Sequence, residues 1–442
     1  NVAFDEFRAY NRQLASLEVQ QLAGQKDLIQ TLLKKPVGSL SADHKNQLKE
    51  YYLFNFDPQY AALQKELMQI RSKENELLTN QEEVMVYKEL PKARATFILD
   101  RGAYDAPKEQ VRPNTPKNLL AFNKKLPQNR LGLAKWLLSK EQPLFPRVVV
   151  NRFWQQCFGQ GIVKTAEDFG NQGELPTHPE LLDYLAVSFR ESNWNVKALL
   201  KMMVMSATYR QSSIPTAINK AKDPDNKLYS RAPSYRLSAE MIRDNALTAS
   251  GLLSRKVGGK SVFPYQPAGI WEALATRNAT HYEQSKGPDL YRRSLYTVWK
   301  RSSPHPAMIN FDVPDRYMCS VRRQKTSTPL QALVLMNDVQ YVEASRVLGE
   351  RMVREGGSTP EQRISYAFRA LTSRHPRQDE LVILKNLYQQ EYADFDKNPA
   401  RAEKLLKEGE YPRDKKLPAA DVATCAVVAN TLMNFDEFVV KR

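Results

Sequence analysis

Apolar residues recur at helical spacing along most of the chain. In residues 1–34, Phe4, Phe7, Leu14, Leu17, Val19, Leu22, Leu28, Leu32 and Leu33 alternate with Gln, Lys and Arg, up to the breaker Lys34-Lys35-Pro36-Val37-Gly38. A second segment follows Ser41. A third opens at Asp57-Pro58, an N-cap and first-turn pair, and carries Tyr60, Leu63, Leu67, Ile70 and Leu77 to about Asn80. Two long amphipathic helices with a short one between them predict an N-terminal α-helical coiled-coil hairpin over residues 1–82, a projecting arm suited to spacing or docking.

From Glu83 the period changes. Residues 84–87 and 95–99 are β-prone and flank Pro91-Lys92-Ala93-Arg94, which predicts a small β-hairpin. A connection rich in proline (Pro107, Pro113, Pro116, Pro127) follows, so residues 83–127 separate the arm from a main domain at 128–442. That domain is expected to be mainly α, a multi-helix unit. Helices are predicted over 130–139, 146–158, 178–192, 195–209, 238–253, 329–338, 360–371, 378–392 and 419–433, with one strand over 293–300. Thr177-His178-Pro179-Glu180, Thr328-Pro329-Leu330-Gln331 and Thr359-Pro360-Glu361-Gln362 each have the form of a capping box.

The densest candidate chemistry lies at residues 299–341. A helix starting at Pro329 would turn unpaired N–H groups and its positive dipole end towards Arg322, Arg323, Lys325 and Thr326, a recipe for holding an anion. His305 stands between Pro304 and Pro306, which suits a restrained general base or donor, or a histidine packed beside Trp299. Asp312 and Asp315 are candidates for an acid/base pair, a cation site or arginine partners. Arginine pairing is favoured, because residues 291–326 hold eight Lys and Arg against these two acids. The candidate catalytic residues are therefore His305, Asp312 and Asp315. The candidate ligand-binding residues are Arg316, Arg322, Arg323, Thr326 and Trp299. The alternative is a polar network that staples an irregular loop to the core. Upstream, aromatic and basic residues interleave from Tyr282 to Arg301, a surface able to stack sugar rings or bases while pairing with anions.

Composition narrows the classes. The 442 residues carry a formal charge of +16, which favours acidic partners, and no nucleic-acid motif accompanies it. No apolar run approaches the ~18 residues of a membrane helix, so no transmembrane segment is expected. The three cysteines and five histidines are scattered, with neither a zinc pattern nor a CxxCH haem-attachment motif, so no metal site and no cofactor are assigned to this chain. Asp168-Phe169-Gly170 lacks the other kinase elements, and Val257-Gly258-Gly259-Lys260-Ser261 has Ser254 where a phosphate loop needs its first glycine. No GxSxG elbow or HExxH helix occurs. The chain opens inside a helical pattern with neither Met nor signal peptide, so a fragment or processed piece of something longer is expected.

Several segments resemble one family. They are Arg130-Leu131-Gly132-Leu133-Ala134-Lys135-Trp136-Leu137, the RVVVNRFW run at 147–154, Phe158-Gly159-Gln160-Gly161-Ile162-Val163, His178-Pro179-Glu180-Leu181-Leu182-Asp183 and Ser206-Ala207-Thr208-Tyr209-Arg210-Gln211. Asp223-Pro224-Asp225-Asn226, Phe311-Asp312-Val313-Pro314-Asp315-Arg316 and Asn434-Phe435-Asp436-Glu437-Phe438 continue the match. Together these resemble domain of unknown function 1553, the closing module of planctomycete-type cytochrome c surface proteins. The resemblance covers about residues 84–440. It implies an extracytoplasmic protein, at the periplasm or outer-membrane surface, with haem c on an upstream domain and a role in polysaccharide breakdown, including redox chemistry on sugars. It supplies no catalytic residues. Joined to the charge, it leads to an expected acidic or oxidised saccharide ligand. The other expectation is a non-catalytic assembly subunit that docks cell-surface proteins through its helical arm.

Overall fold

The structure is a computed structural model that describes residues 8–442 except 11, 25–26, 82, 92–93, 117 and 275–280. Phe4 and Phe7 of the expected first helix, and Lys92 and Ala93 of the expected hairpin turn, lie outside the described residues. The fold is mainly α, with two-stranded antiparallel pairings as its only sheets among the described residues. No helix there is long and apolar enough to cross a membrane. The chain divides into two compact units, residues 1–112 and 113–442.

In the first unit, the long helix expected across residues 1–34 is two short ones, Ser16–Leu22 and Leu28–Leu33. Gly24 at φ 103° and Asp27 at φ 63° take the backbone out of the helical region between them. Asp57 caps Pro58–Thr79 as expected, and Ser41, after which a segment was expected to begin, caps Ala42–Asn55. A two-helix coiled-coil seam is not what holds them. Leu17, Ile29 and Leu32 form the core with Leu28, Leu40, Leu48 and Tyr51, while no residue of Pro58–Thr79 is buried.

The hairpin also differs from expectation. Thr96–Leu99 pairs with Pro107–Val111, not with residues 84–87. The reversal comes from Arg101 at φ 48° and Gly102 at φ 80°. The Asp100 N–H donates to Ala106 O at 2.9 Å, and Lys108 pairs with Asp100 at 2.7 Å. Residues 84–87 belong to no strand and stand exposed, Met85 at 99 %.

The second unit has two main cores. Phe145–Phe158, Pro179–Glu191 and Val196–Met205 pack around Val150, Trp154, Phe158, Leu185, Phe189 and Met203. Ala239–Ser250, Val339–Glu355, Pro360–Thr372, Gln378–Lys397 and Ala419–Met433 enclose the larger one, with Ile242, Leu247, Leu348, Phe368, Val428 and Phe438 at its centre. Val339–Glu355 and Ala419–Met433 approach closely at Gly349, where a Cβ would meet Ala426 N at 2.8 Å and Val422 O at 2.9 Å. Tyr235–Arg236 pairs antiparallel with Val440–Lys441, a contact between segments some 200 positions apart that no local pattern announces.

Three local expectations change. Residues 293–300 form a 3₁₀ turn, Ser294–Tyr296, where a strand was expected, because Asp244 Oδ1 takes both the Ser294 N–H (2.8 Å) and its hydroxyl (2.7 Å). The box at Thr359 closes, with Gln362 N donating to Thr359 Oγ1 and Thr359 N to Gln362 Oε1. The boxes at Thr177 and Thr328 do not. Thr177 Oγ1 donates to Ile162 O, leaving His178 as N-cap, and the Gln331 amide donates to Asn310 O (2.9 Å) and Thr326 O (3.2 Å). Tertiary partners outcompete the local cap where the side chain faces the core.

Candidate functional site

A groove of ≈ 290 Å³ in the second unit is assembled from three segments, 158–160, 224–235 and 325. The first is the end of Phe145–Phe158, where Gly159 adopts φ 78° and lies against the Tyr235 ring; a Cβ there would meet Tyr235 Cδ1 at 2.6 Å. Beyond it the loop folds back because buried Asn151 accepts from Val163 N (2.9 Å) and donates to Val163 O (3.0 Å).

The second segment is the turn at Asp223-Pro224-Asp225-Asn226. Asp223 accepts the N–H groups of Lys227 (2.7 Å) and Leu228 (3.0 Å), and Asn226, at φ 53°, is bonded to both the N–H and the carbonyl of Arg231. Arg231 returns its guanidinium to Asp223 O (2.8 Å) and Pro224 O (2.7 Å). Such a turn is rigid without any packing from outside.

The third segment brings Lys325, whose ammonium lies 4.1 Å from the centre of the Tyr235 ring. Partial burial, and then the Arg236 cation, hold Lys325 below the usual lysine range. Gln160, Asp225 and Ser234 also line the groove, and none of their side chains has a hydrogen-bond or ionic partner among the described residues. Lys325 has no carboxylate partner there either. An amide, a carboxylate, a hydroxyl and an ammonium thus border one groove; Asp225, Ser234 and Lys325 are exposed and Gln160 half-buried, so solvent meets them and a ligand would take the place of that solvent.

The position of Lys325 is set by its neighbour. Thr326 donates its N–H to Asp312 Oδ2 at 2.7 Å and its hydroxyl to the same carboxylate at 2.8–2.9 Å. Arg236 forms an ion pair with Asp312 and donates Nε–H to Thr326 O at 2.9 Å. Partial burial opposes the Asp312 charge; the Thr326 donors and the Arg236 cation outweigh it, so the carboxyl stays below its usual range. Asp312 itself sits at φ 57°, a left-handed conformation held by these bonds. The clamp joins Tyr235-Arg236 to Lys325-Thr326.

The candidates from residues 299–341 fall into separate arrangements. Asp312 and Thr326 meet in the clamp. Trp299 Nε1 donates to Asp315 O at 3.2 Å and its ring carries the Arg316 guanidinium at 4.4 Å, while Asp315 Oδ1 accepts from Tyr317 N. Arg322 pairs with Glu167 (3.3 Å) and Arg323 with Glu240 (2.7 Å), both outside the loop. Their charges are thereby met away from Pro329, and Thr328 makes no side-chain cap. His305 is buried, with Nε2 2.6 Å from Tyr265 O, and burial pushes its imidazole down to about 4. Among the described residues no three His, Cys, Asp or Glu side chains gather into a metal site.

Sequence reasoning did not single out Arg236, Gln160 or Ser234, and it named Lys325 only among the basic residues ahead of the helix that starts at Pro329. Asp223-Pro224-Asp225-Asn226 did stand out as a segment, and its turn chemistry was the available signal. The family model described as protein of unknown function (DUF1553) matches residues 129–388, more than half of the chain and the whole groove. The chain belongs to that family. No curated protein and no solved structure matches it.

Proposed function

We propose that this DUF1553 protein is a saccharide-binding module of an extracytoplasmic, polysaccharide-processing protein, and that an acidic saccharide occupies the groove between Gln160, Asp225, Ser234 and Lys325. One observation supports this reading: these four residues line one groove, Gln160, Asp225 and Ser234 without a side-chain partner among the described residues and Lys325 with the Tyr235 ring as its described contact. Sugar hydroxyls both donate and accept, which suits a set containing an amide, a carboxylate and a hydroxyl. Lys325 supplies the charge for a uronate carboxylate. Binding is favoured over catalysis. Asp225 is the only carboxylate among the described residues that line the groove, and His305 is buried elsewhere. Any redox step on sugars would belong to a haem c-bearing domain of a larger protein, with this chain holding the polymer.

The test is calorimetric titration with length-matched neutral and uronate oligosaccharides. Binding of the uronate series, weakened in Asp225→Ala and Lys325→Ala, is expected; no binding of either series by the wild-type chain overturns the proposal.

One observation favours a second reading, a non-catalytic assembly subunit at the cell surface. Leu63, Leu67, Ile70 and Leu77 lie exposed along one side of Pro58–Thr79. On that reading Leu67→Glu abolishes copurification with other surface proteins and leaves saccharide binding intact.

A further inference from the structure

A second, much smaller cavity lies where Val339–Glu355 begins. Its volume is ≈ 10 Å³, about the room that one water molecule needs. His305 and Met308 bound it on one side, Arg243 on another, and Asp338, Gln340 and Tyr341 on the third. Two buried atoms of this lining have no hydrogen-bond partner among the described residues: Nδ1 of His305, a residue 8 % exposed, and Nε2 of Gln340, 4 % exposed.

The chemical character of each atom follows from what the far end of its side chain does. His305 Nε2 lies 2.6 Å from Tyr265 O. A carbonyl oxygen only accepts, so Nε2 carries the proton and Nδ1 presents a lone pair. Gln340 Oε1 accepts from Arg243 Nε at 3.0 Å. A guanidinium only donates, so the amide oxygen belongs on that side and the NH₂ is left for the cavity. One acceptor and one donor therefore border the same small space.

Charge excludes ions from it. The Arg243 guanidinium, buried at the cavity wall, repels a cation. Four of its five N–H groups are already engaged: Nε by Gln340 Oε1, Nη1 by Arg292 O (2.8 Å) and Ser294 Oγ (3.2 Å), and Nη2 by Leu290 O (3.0 Å). The Asp338 carboxylate in the same lining repels an anion as well. What fits is a neutral molecule of water size that both donates and accepts.

We propose that this cavity binds one internal water molecule, which accepts a hydrogen bond from Gln340 Nε2 and donates one to His305 Nδ1. The Asp338 carboxylate, whose Oδ1 already takes the Gln340 N–H at 3.0 Å, is the acceptor for its second proton. The water ties the turn that starts at His305 to the first turn of Val339–Glu355. His305 is then engaged through both nitrogens and works as a pin for the turn, which leads within seven residues to the Asp312 clamp.

Two measurements test this on the whole chain. A high-resolution crystal structure should show a single density peak within hydrogen-bonding distance of His305 Nδ1 and Gln340 Nε2. Oxygen-17 relaxation dispersion should count one long-lived water fewer in Gln340→Leu and in His305→Phe than in the wild type. A dry cavity in the density, a ligand larger than water, or an unchanged water count in a folded variant overturns the proposal. The wild-type density decides the matter even if neither variant folds.

Discussion

Asp312 Oδ2 accepts the Thr326 N–H at 2.7 Å while the same carboxylate holds the guanidinium of Arg236. Two sequence segments that are 90 positions apart are thereby joined next to the groove, since Tyr235 precedes Arg236 and Lys325 precedes Thr326. The clamp is local chemistry with a distant effect: it sets where the ammonium stands over the aromatic ring.

Removing the clamp separates its charge from its shape. Asp312→Ala leaves the Arg236 guanidinium, 9 % exposed, without its carboxylate, and places a β-carbon without hydrogen-bonding help at φ 57°. A loss of about 3–4 kcal/mol is expected. Asp312→Asn keeps an acceptor and tolerates the left-handed backbone, so about 1–2 kcal/mol should go. Urea denaturation measures both, and saccharide titration should show weaker binding in each variant.

Lys325→Ala should behave in the opposite way. Its described contact is the one over Tyr235, so the melting temperature should stay within a degree or two. Affinity for a uronate oligosaccharide should fall about tenfold, equivalent to ~1.4 kcal/mol, and the salt dependence of binding should flatten. Equal loss for neutral and acidic ligands would remove Lys325 as the source of charge selectivity.

His305 makes stability depend on pH. Its imidazole titrates near 6.5 in the unfolded chain and at about 4 when buried, so between these values the unfolded state holds the extra proton. Stability therefore falls as pH drops from 6.5 to 4, by about 3 kcal/mol in full. His305→Gln should be less stable at pH 7 and flatter across this window by urea midpoints. Glu380 acts lower down. Its hydrogen bonds from Arg374 take it from 4.5 to about 2, so its contribution is lost only as pH falls below 4.5.

Gly349→Ala tests the close helix pair. Alanine favours a helix by about 1 kcal/mol over glycine. Here its methyl would lie 2.8–2.9 Å from the backbone of Ala419–Met433. The helices must part, at a cost of about 2–3 kcal/mol, and a net loss of about 1–2 kcal/mol by thermal denaturation is expected.

Where the bonds are local, the sequence was a sufficient guide. Ser41, Asp57, Ser238 and Thr359 cap helices because each side chain reaches an N–H two or three residues on. The helical spacing of Leu182, Leu185, Ala186 and Phe189 likewise marks one buried face of Pro179–Glu191. Family membership was legible too, from segments such as 147–154 and 158–163 that lie within the matched residues.

What the sequence by itself determined, then, is the helix content, most helix starts and the family. Tertiary structure alone decided the partners. Residues 84–87 and 96–99 have similar β-propensity, but the turn at Arg101 and Gly102 gives Thr96–Leu99 the later segment. Arg322 and Arg323 lie near two acids in sequence and yet pair with Glu167 and Glu240, while Asp312 takes Arg236. Charge and hydrogen-bonding capacity are properties of a residue and can be counted along a chain. Which charge meets which depends on helices that pack over distances no local pattern spans.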